Sequence, residues 1–243
     1  MRMPRLVASL VGLLLALGTG FADTYVVEQL HTDPVQMMGK TRGGKDVRNT
    51  LWIGSDRIRR DEGGDSSVIV RLDQSKMYIV NHKEKSYVAT DLPLDVGKLF
   101  SPEMAPMMKA MLEGMKFEAK VTPTEEKKKI GEWNCSRYDV EVKGGMMNMT
   151  STVWATKDVP IDLDAIKAMY EALSGMQPQM APLIKEMARI DGYRVLQESE
   201  ISPMGMKMKT TETLVSVENK PAPAGTYDPP EGYSLSPFLV PTK

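Results

Sequence analysis

The chain has 243 residues, of which 42% are hydrophobic and 26% are charged, and its formal net charge at pH 7 is -1. This composition is typical of a globular protein with enough apolar content for a sizeable core. It offers no basic excess of the kind that binds nucleic acid or an anionic membrane surface. The 20 methionines, set against an aromatic content of 6%, place much of the apolar mass in flexible thioether side chains.

The first 22 residues predict a cleaved export signal. Two arginines precede an apolar run from Leu6 to Leu17, and small residues stand before the predicted cleavage site after Ala22. The run is shorter than the roughly 20 residues that a membrane-spanning helix needs, and no later run is as long, so we expect no membrane span. The predicted mature chain is soluble and periplasmic, and no cysteine stands directly after the cleavage site to carry a lipid anchor.

Most of the chain that follows shows the two-residue alternation of β-strands. After a strand at Thr24–His31, five short apolar clusters recur about every ten residues between Val47 and Asp91, with turn-forming residues between them. This spacing predicts an antiparallel meander with one face in water. Strands are predicted again from Phe117, and the last two cover Tyr193–Ile201 and Met206–Val217.

Two methionine-rich segments, at about 95–116 and 161–190, change to the three- and four-residue spacing of a helix. Pro102 and Pro106 restrict how the first segment begins, which favours two short pieces over one long helix. Residues 175–182 interrupt the second segment. Because an apolar stripe is unfavourable in water, each segment is expected to cover apolar sheet.

The predicted fold is mainly β (α+β). It consists of one large curved antiparallel sheet, a half-barrel, closed on its concave side by the two methionine-rich helical segments. Residues 23–220 form a single predicted domain, since no linker divides them. The proline-rich segment 221–243 is predicted to be an extended tail on the surface.

Several segments resemble a bacterial exported family of unknown function. They are Leu51–Ile53, Arg57–Arg60, Ser67–Asp73, Lys76–Val80, Lys85–Tyr87, Lys129–Gly131, Cys135–Tyr138, Val153–Pro160 and Pro230–Tyr233. The layout is similar to the periplasmic lipoprotein carriers LolA and LolB. That resemblance implies a half-open β-barrel lidded by helices around an acyl-chain cavity. It rests on strands and turns, so it implies no role for any single residue.

No motif in the sequence indicates catalysis. The chain has no G-x-S-x-G elbow, H-E-x-x-H pair, paired cysteines or P-loop. Its two histidines, His31 and His82, lie far apart, and His82 is predicted in an exposed turn. Cys135 is the only cysteine and is expected to be a small buried filler. We therefore expect neither an enzyme nor a cofactor.

The methionines allow three interpretations. In the first they only fill gaps between helix and sheet. In the second they line a cavity for a hydrophobic or acylated ligand, because flexible, polarizable side chains adapt to varied partners. The candidate cavity residues are Met104, Met107, Met108, Met111, Met115, Met169 and Met187.

The third interpretation is a soft sulfur site for Cu(I). Alternate residues of a strand share a face, so a Met-x-Met strand presents its thioethers together. The candidate ligands are Met204, Met206, Met208, Met146, Met147 and Met149.

The sequence thus predicts a soluble periplasmic carrier or binding module for a lipid- or lipoprotein-type ligand. The expected partner is a hydrophobic or acylated small ligand, with another envelope protein as a second candidate and no nucleic acid. The chain is expected to be a monomer. The alternatives are a periplasmic copper(I)-handling protein and a structural or envelope-associated protein without a ligand.

Overall fold

The computed structural model describes residues 23–37, 40–114, 117–144, 147–164, 166–167, 181–203 and 207–239. The predicted signal peptide lies outside these residues. The strands of the first half are β1 Thr24–Thr32, β2 Val35–Met37, β3 Lys40–Arg42, β4 Lys45–Ile53, β5 Arg57–Glu62, β6 Ser66–Arg71, β7 Lys76–Asn81 and β8 Ser86–Asp91. Those of the second half are β9 Phe117–Ile130, β10 Trp133–Gly144, β11 Met147–Thr156, β12 Tyr193–Pro203, β13 Met208–Asn219 and β14 Ser234–Leu235. Helices α1 Ala105–Gly114 and α2 Ala181–Met187 accompany short 3-10 helices at Leu72–Gln74 and Val96–Leu99.

Twelve of these strands form one curved, unclosed sheet, which confirms the mainly β half-barrel. The order is β14-β8-β7-β6-β5-β4-β1-β13-β12-β11-β10-β9, and β2 and β3 pair separately. Neighbours are antiparallel except β14, which adds in parallel to β8. The two meanders meet at β1, which pairs with β4 on one side and β13 on the other. The first strand of the described chain therefore joins both halves of the sheet.

The sheet has two distinct faces, because directly opposed residues of antiparallel strands point to the same side. Val121 and Val140 oppose each other on one face, where Met187 of α2 packs near them. We call this the helix face. Ile69 lies on the other side and packs with Tyr227 from the C-terminal tail. We call that side the tail face.

Strand β9 forms one edge of the sheet, and its exposed backbone is partly covered by α2. Glu186 of α2 accepts a hydrogen bond at 3.1 Å from the backbone N–H of Val121. That bond holds the pKa of the Glu186 carboxyl below its ordinary value. Pro123 and a run of lysines at 127–129 also mark this strand, and such residues protect an edge from pairing with other chains.

Helix α1 is placed differently from α2. The predicted segment at 95–116 contains a 3-10 turn at Val96–Leu99 and then α1, in agreement with two short pieces. Helix α1 packs on that 3-10 turn, and the side chain of Met107 is 62% exposed. At least one side chain of the α1 methionine stripe, Met107, therefore faces solvent and does not pack on the sheet.

The C-terminal tail, predicted as an extended surface segment, is docked on the sheet at two places. Tyr227 is buried against the tail face, and the N–H of Ser234 donates to the carbonyl of Lys85 at 3.0 Å. Strand β14 then covers the open edge of β8. The physical reason is that an unpaired strand edge and an aromatic side chain both gain by docking.

Candidate functional site

The helix face is apolar at both of its ends. At the β9–β11 end, Val121, Val140 and Val142 are buried, and α2 covers them. At the β5–β8 end, Val70 and Val88 are buried, whereas their neighbours remain partly exposed. Those partly exposed side chains are Ile58, Val68, Met77 and Ile79. We call this group of four the open apolar area.

The open apolar area is continuous across three strands, β5, β6 and β7. Ile58 opposes Val70, and Val70 opposes Met77. In the next row Val68 opposes Ile79. Opposed side chains in such pairs lie about 5 Å apart, so the four form one patch rather than scattered residues.

A ring of alternating charges lies on the helix face between the two apolar ends. Arg60 Nη1 is 3.0 Å from Glu28 Oε2, and Arg60 Nη2 is 3.1 Å from Glu212 Oε1. Arg194 Nη2 closes the ring at 3.3 Å from Glu28 Oε1 and 2.9 Å from Glu212 Oε2. Tyr193 donates its hydroxyl to Glu28 Oε1 at 3.0 Å. Glu28 is only 2% exposed, so its charge depends on these partners.

A β-bulge lies next to the ring, between Val27 and Glu28 of β1. Val27 opposes Ser216 and Glu28 opposes Leu214, which leaves Val215 of β13 without a partner in β1. Val215 is 54% exposed. The bulge takes up this extra residue, so β13 stays paired with β1 on both sides of it. Beyond the bulge Glu28 opposes Leu214 and Leu30 opposes Glu212, so regular alternation places Glu212 on the same face as Glu28.

The two carboxyl groups of the ring titrate differently. Burial alone would raise the pKa of Glu28, but the positive charges of Arg194 and Arg60 outweigh it and hold that pKa below its ordinary value. Burial raises the pKa of Glu212, and the nearby carboxylate of Glu28 adds to the rise. The sequence analysis did not identify this ring, although the single glutamate within the apolar strand β1 was a signal for it.

A second polar cluster lies on the tail face. His82 Nε2 is 2.5 Å from Ser67 Oγ, and Ser67 Oγ donates to Asp61 Oδ1. His82 Nδ1 is 3.0 Å from the hydroxyl of Tyr233 in the tail. The side chain of His82 is 19% exposed, which corrects its predicted position as a freely exposed turn histidine.

This cluster contains the residue types of a hydrolase triad without the geometry. In a triad the carboxylate contacts the histidine nitrogen that faces away from the serine. Here Tyr233 takes that position, and Asp61 contacts Ser67 instead. Ser67 has no exposed surface, so a substrate cannot reach its hydroxyl. The described contacts serve to hold the tail, because Arg59 also donates to the carbonyl of Thr226 at 3.1 Å.

Two of the candidate methionines contact the covered end of the helix face. Met187, from the cavity set, and Met149, from the copper set, pack with the valines under α2. Met104 and Met108 are half-buried, and Met111 lies within α1. Met115 and Met169 lie outside the described residues. The ligand-binding role of the cavity set stays a prediction.

The copper set is spread over strands that are not neighbours. Met149 opposes Ile201, and Ile201 opposes Met208, so both methionines share a face with β12 between them. Met147 begins β11, whereas Met146, Met204 and Met206 lie outside the described residues. Within the described part of the chain, no three His, Cys, Asp or Glu residues are grouped to hold a metal ion. Thioether sulfurs are ligands of a different type, so the copper hypothesis stays a prediction.

A lysine-lined cleft of about 720 Å³ opens where β9, β10 and the end of β11 meet Asp191, which precedes β12. Its lining includes Lys127–Lys129 and Lys157, together with Cys135. Cys135 is buried, as predicted, and burial raises the pKa of its thiol. The thiol is therefore protonated at neutral pH and unreactive as a nucleophile.

Comparison with known proteins adds a family and no activity. No curated protein matches the chain. Among solved structures, it is similar to a DUF1329 family protein from Desulfovibrio piger ATCC 29098, with 10% identity and a TM-score of 0.29 over 86% of this chain and 90% of that one. None of the helices among the described residues is both long and apolar enough to span a membrane. The family model of a domain of unknown function, DUF4412, matches residues 35–233, from β2 into the docked tail, and the chain therefore belongs to the DUF4412 family.

Proposed function

We propose that this DUF4412 protein is an exported, periplasmic carrier or binding module for a hydrophobic or acylated ligand, held on the helix face. The observation that carries the proposal is the open apolar area on an unclosed sheet. Four adjacent apolar side chains there keep contact with solvent, although each would gain by burial. An acyl chain that covered them would gain roughly 0.8 kcal/mol for each buried methylene.

The resemblance to the periplasmic lipoprotein carriers supports the same function. Those carriers use a half-open barrel with helical lids, and here α2 covers the β9–β11 end of the face. The charge ring separates that covered end from the open apolar area. An acyl chain would therefore lie on the β5–β8 side, where Met77 supplies an adaptable contact.

The proposal is tested on mature protein with a fluorescent fatty-acid probe and by native mass spectrometry for co-purifying amphiphiles. Val68→Gln combined with Ile79→Gln should weaken probe binding about tenfold or more, because each amide would be buried against the chain without a partner. The matched control is Val215→Gln, which makes the same change at the exposed bulge residue and should leave binding unchanged. Urea unfolding of each variant separates lost binding from lost folding.

One result would reject the carrier function, and two would reject the open apolar area as its ligand site. If wild-type protein carries no amphiphile and binds no probe, a structural protein without a ligand is favoured. If the Val215→Gln control loses as much affinity as the double variant, the probe does not occupy the open apolar area. The same conclusion follows if a well-folded double variant binds the probe as tightly as wild type.

A further inference from the structure

We propose that the lysine-lined cleft is a binding site for an anionic group, such as a phosphate or a carboxylate. It is separate from the open apolar area and does not depend on the carrier function. Its volume of about 720 Å³ falls within the range of roughly 300–1,000 Å³ typical of small-ligand sites.

The charge in the cleft opposes the balance of the whole chain. Four lysines and two aspartates line it, so two positive charges are in excess there, whereas the chain as a whole has a formal net charge of -1. The lining residues with charge are Lys127, Lys128, Lys129, Lys157, Asp158 and Asp191. A concave surface with an excess of one charge attracts ligands of the opposite charge.

The lysines of the cleft are not all neutralised by protein partners. Lys157 Nζ lies 2.7 Å from Asp191 Oδ2, so that pair is satisfied internally. Lys128 Nζ lies over the ring of Trp154, 4.9 Å from its centroid. Among the described residues, Lys127 and Lys129 have no salt-bridge partner, and alternate residues of a strand point the same way. These two ammonium groups are available to a ligand.

Neutral hydrogen-bonding groups complete the lining. Ser136 opposes Lys127, and Asn134 opposes Lys129, so each free lysine has a polar neighbour on β10. Thr156 lines the cleft from the end of β11. Protection of the β9 edge accounts for charge on that strand. It does not account for the polar side chains that line the cleft from β10 and the end of β11, or for Lys157, which directly follows β11.

The experiment measures binding of inorganic pyrophosphate to the mature protein by titration calorimetry. Lys127→Gln combined with Lys129→Gln should weaken binding about tenfold, and the wild-type affinity should fall as salt is added. The matched control is Lys120→Gln combined with Lys143→Gln. It removes the same charge from exposed lysines on β9 and β10 outside the cleft, and it should bind like wild type.

Dodecyl phosphate shows whether the bound anion is a free ion or the head group of an amphiphile. Dodecyl maltoside, which has the same alkyl chain and no charge, is the neutral comparison. If the cleft variant loses affinity for both pyrophosphate and dodecyl phosphate, a free anion suffices. If only dodecyl phosphate binds, and the cleft variant loses it, the anion is the head group of an amphiphile. Both outcomes support the site, and neither requires the open apolar area.

The proposal is overturned if wild-type protein binds neither anion, or if the control variant loses as much affinity as the cleft variant. The competing explanation is that the lysines only protect the edge of β9 from pairing with other chains. It would hold if wild-type protein bound no anion and the cleft variant aggregated in size-exclusion chromatography.

Discussion

At the residue scale, the charge ring is the feature on which stability depends most directly. A buried charge that loses a partner keeps the cost of its desolvation without the compensating attraction. Glu28 has two arginine partners, so removal of one leaves the carboxylate partly compensated. Through its side chains the ring also connects β1 with β5 and β12, which do not pair with β1, and with β13, which does.

Arg60→Met should lower the free energy of unfolding by about 2 kcal/mol, because it leaves Glu28 and Glu212 with Arg194 as their shared arginine. The control is Arg137→Met, which breaks ion pairs with Glu126 and Asp139 at the surface. Urea unfolding should show a much smaller loss for the control. Equal losses in the two variants would mean that the ring contributes no more than a surface pair.

Glu28 also predicts a dependence of stability on pH. Its folded pKa is lowered, so the stability that its ionised form contributes is fully present above the ordinary value of 4.5 and is lost as the pH falls through the lower, folded value. Glu28→Gln removes this contribution. The stability difference between wild type and Glu28→Gln should therefore be largest at neutral pH and shrink as the pH falls below 4.5. A difference that stays constant to low pH in urea unfolding would contradict the assignment.

At the scale of elements, the docked tail and α2 each cover a different part of the sheet. The tail covers the tail face over β6 and β7, and β14 covers the edge of β8. Helix α2 covers the β9 end of the helix face, and its Glu186 accepts a hydrogen bond from the backbone N–H of Val121 at that edge. The two open edges of a long sheet are thereby both partly protected.

The contribution of the tail is tested by Tyr227→Ala. This change removes a buried aromatic side chain and should lower the free energy of unfolding by about 3 kcal/mol. Leu235→Ala is the control, since that side chain lies in the same tail and is largely exposed. Should both variants unfold at the same urea concentration as wild type, the tail would contribute little to the stability of the sheet.

At the scale of the whole molecule, the methionines separate the carrier from the copper hypothesis. Met108→Gln combined with Met111→Gln should weaken fatty-acid probe binding if the α1 stripe contributes to the ligand site. A buried amide without a partner costs about 1 to 3 kcal/mol, so thermal melting must first show that the variant is folded.

The copper hypothesis predicts the opposite pattern. Met204→Leu, Met206→Leu and Met208→Leu together keep apolar volume and remove the thioethers that select Cu(I). We expect this triple variant to bind the probe like wild type. Tight Cu(I) binding by wild-type protein, lost in the triple variant, would replace the carrier with a copper-handling protein.

The fold was largely predictable, because its strands follow a local rule. Alternation in segments such as Ser67–Asp73 requires only neighbouring residues, and the strand pattern of both meanders follows from it. The helical spacing around Met107 likewise predicted α1. The candidate sites were less predictable, because the apolar patch and the lysine-lined cleft each draw on several strands.

By itself, the amino-acid sequence determined the mainly β class, the meanders, the two methionine-rich helical segments and the burial of Cys135, since each depends on residue type and short-range periodicity. Only the tertiary structure decided that β1 joins the two halves, that the members of the charge ring meet on one face, and that the tail docks. Glu28 and Arg194 are 166 positions apart, and no local pattern encodes a contact at that separation. Strand order and register, which bring such residues together, arise from the packing of the whole sheet.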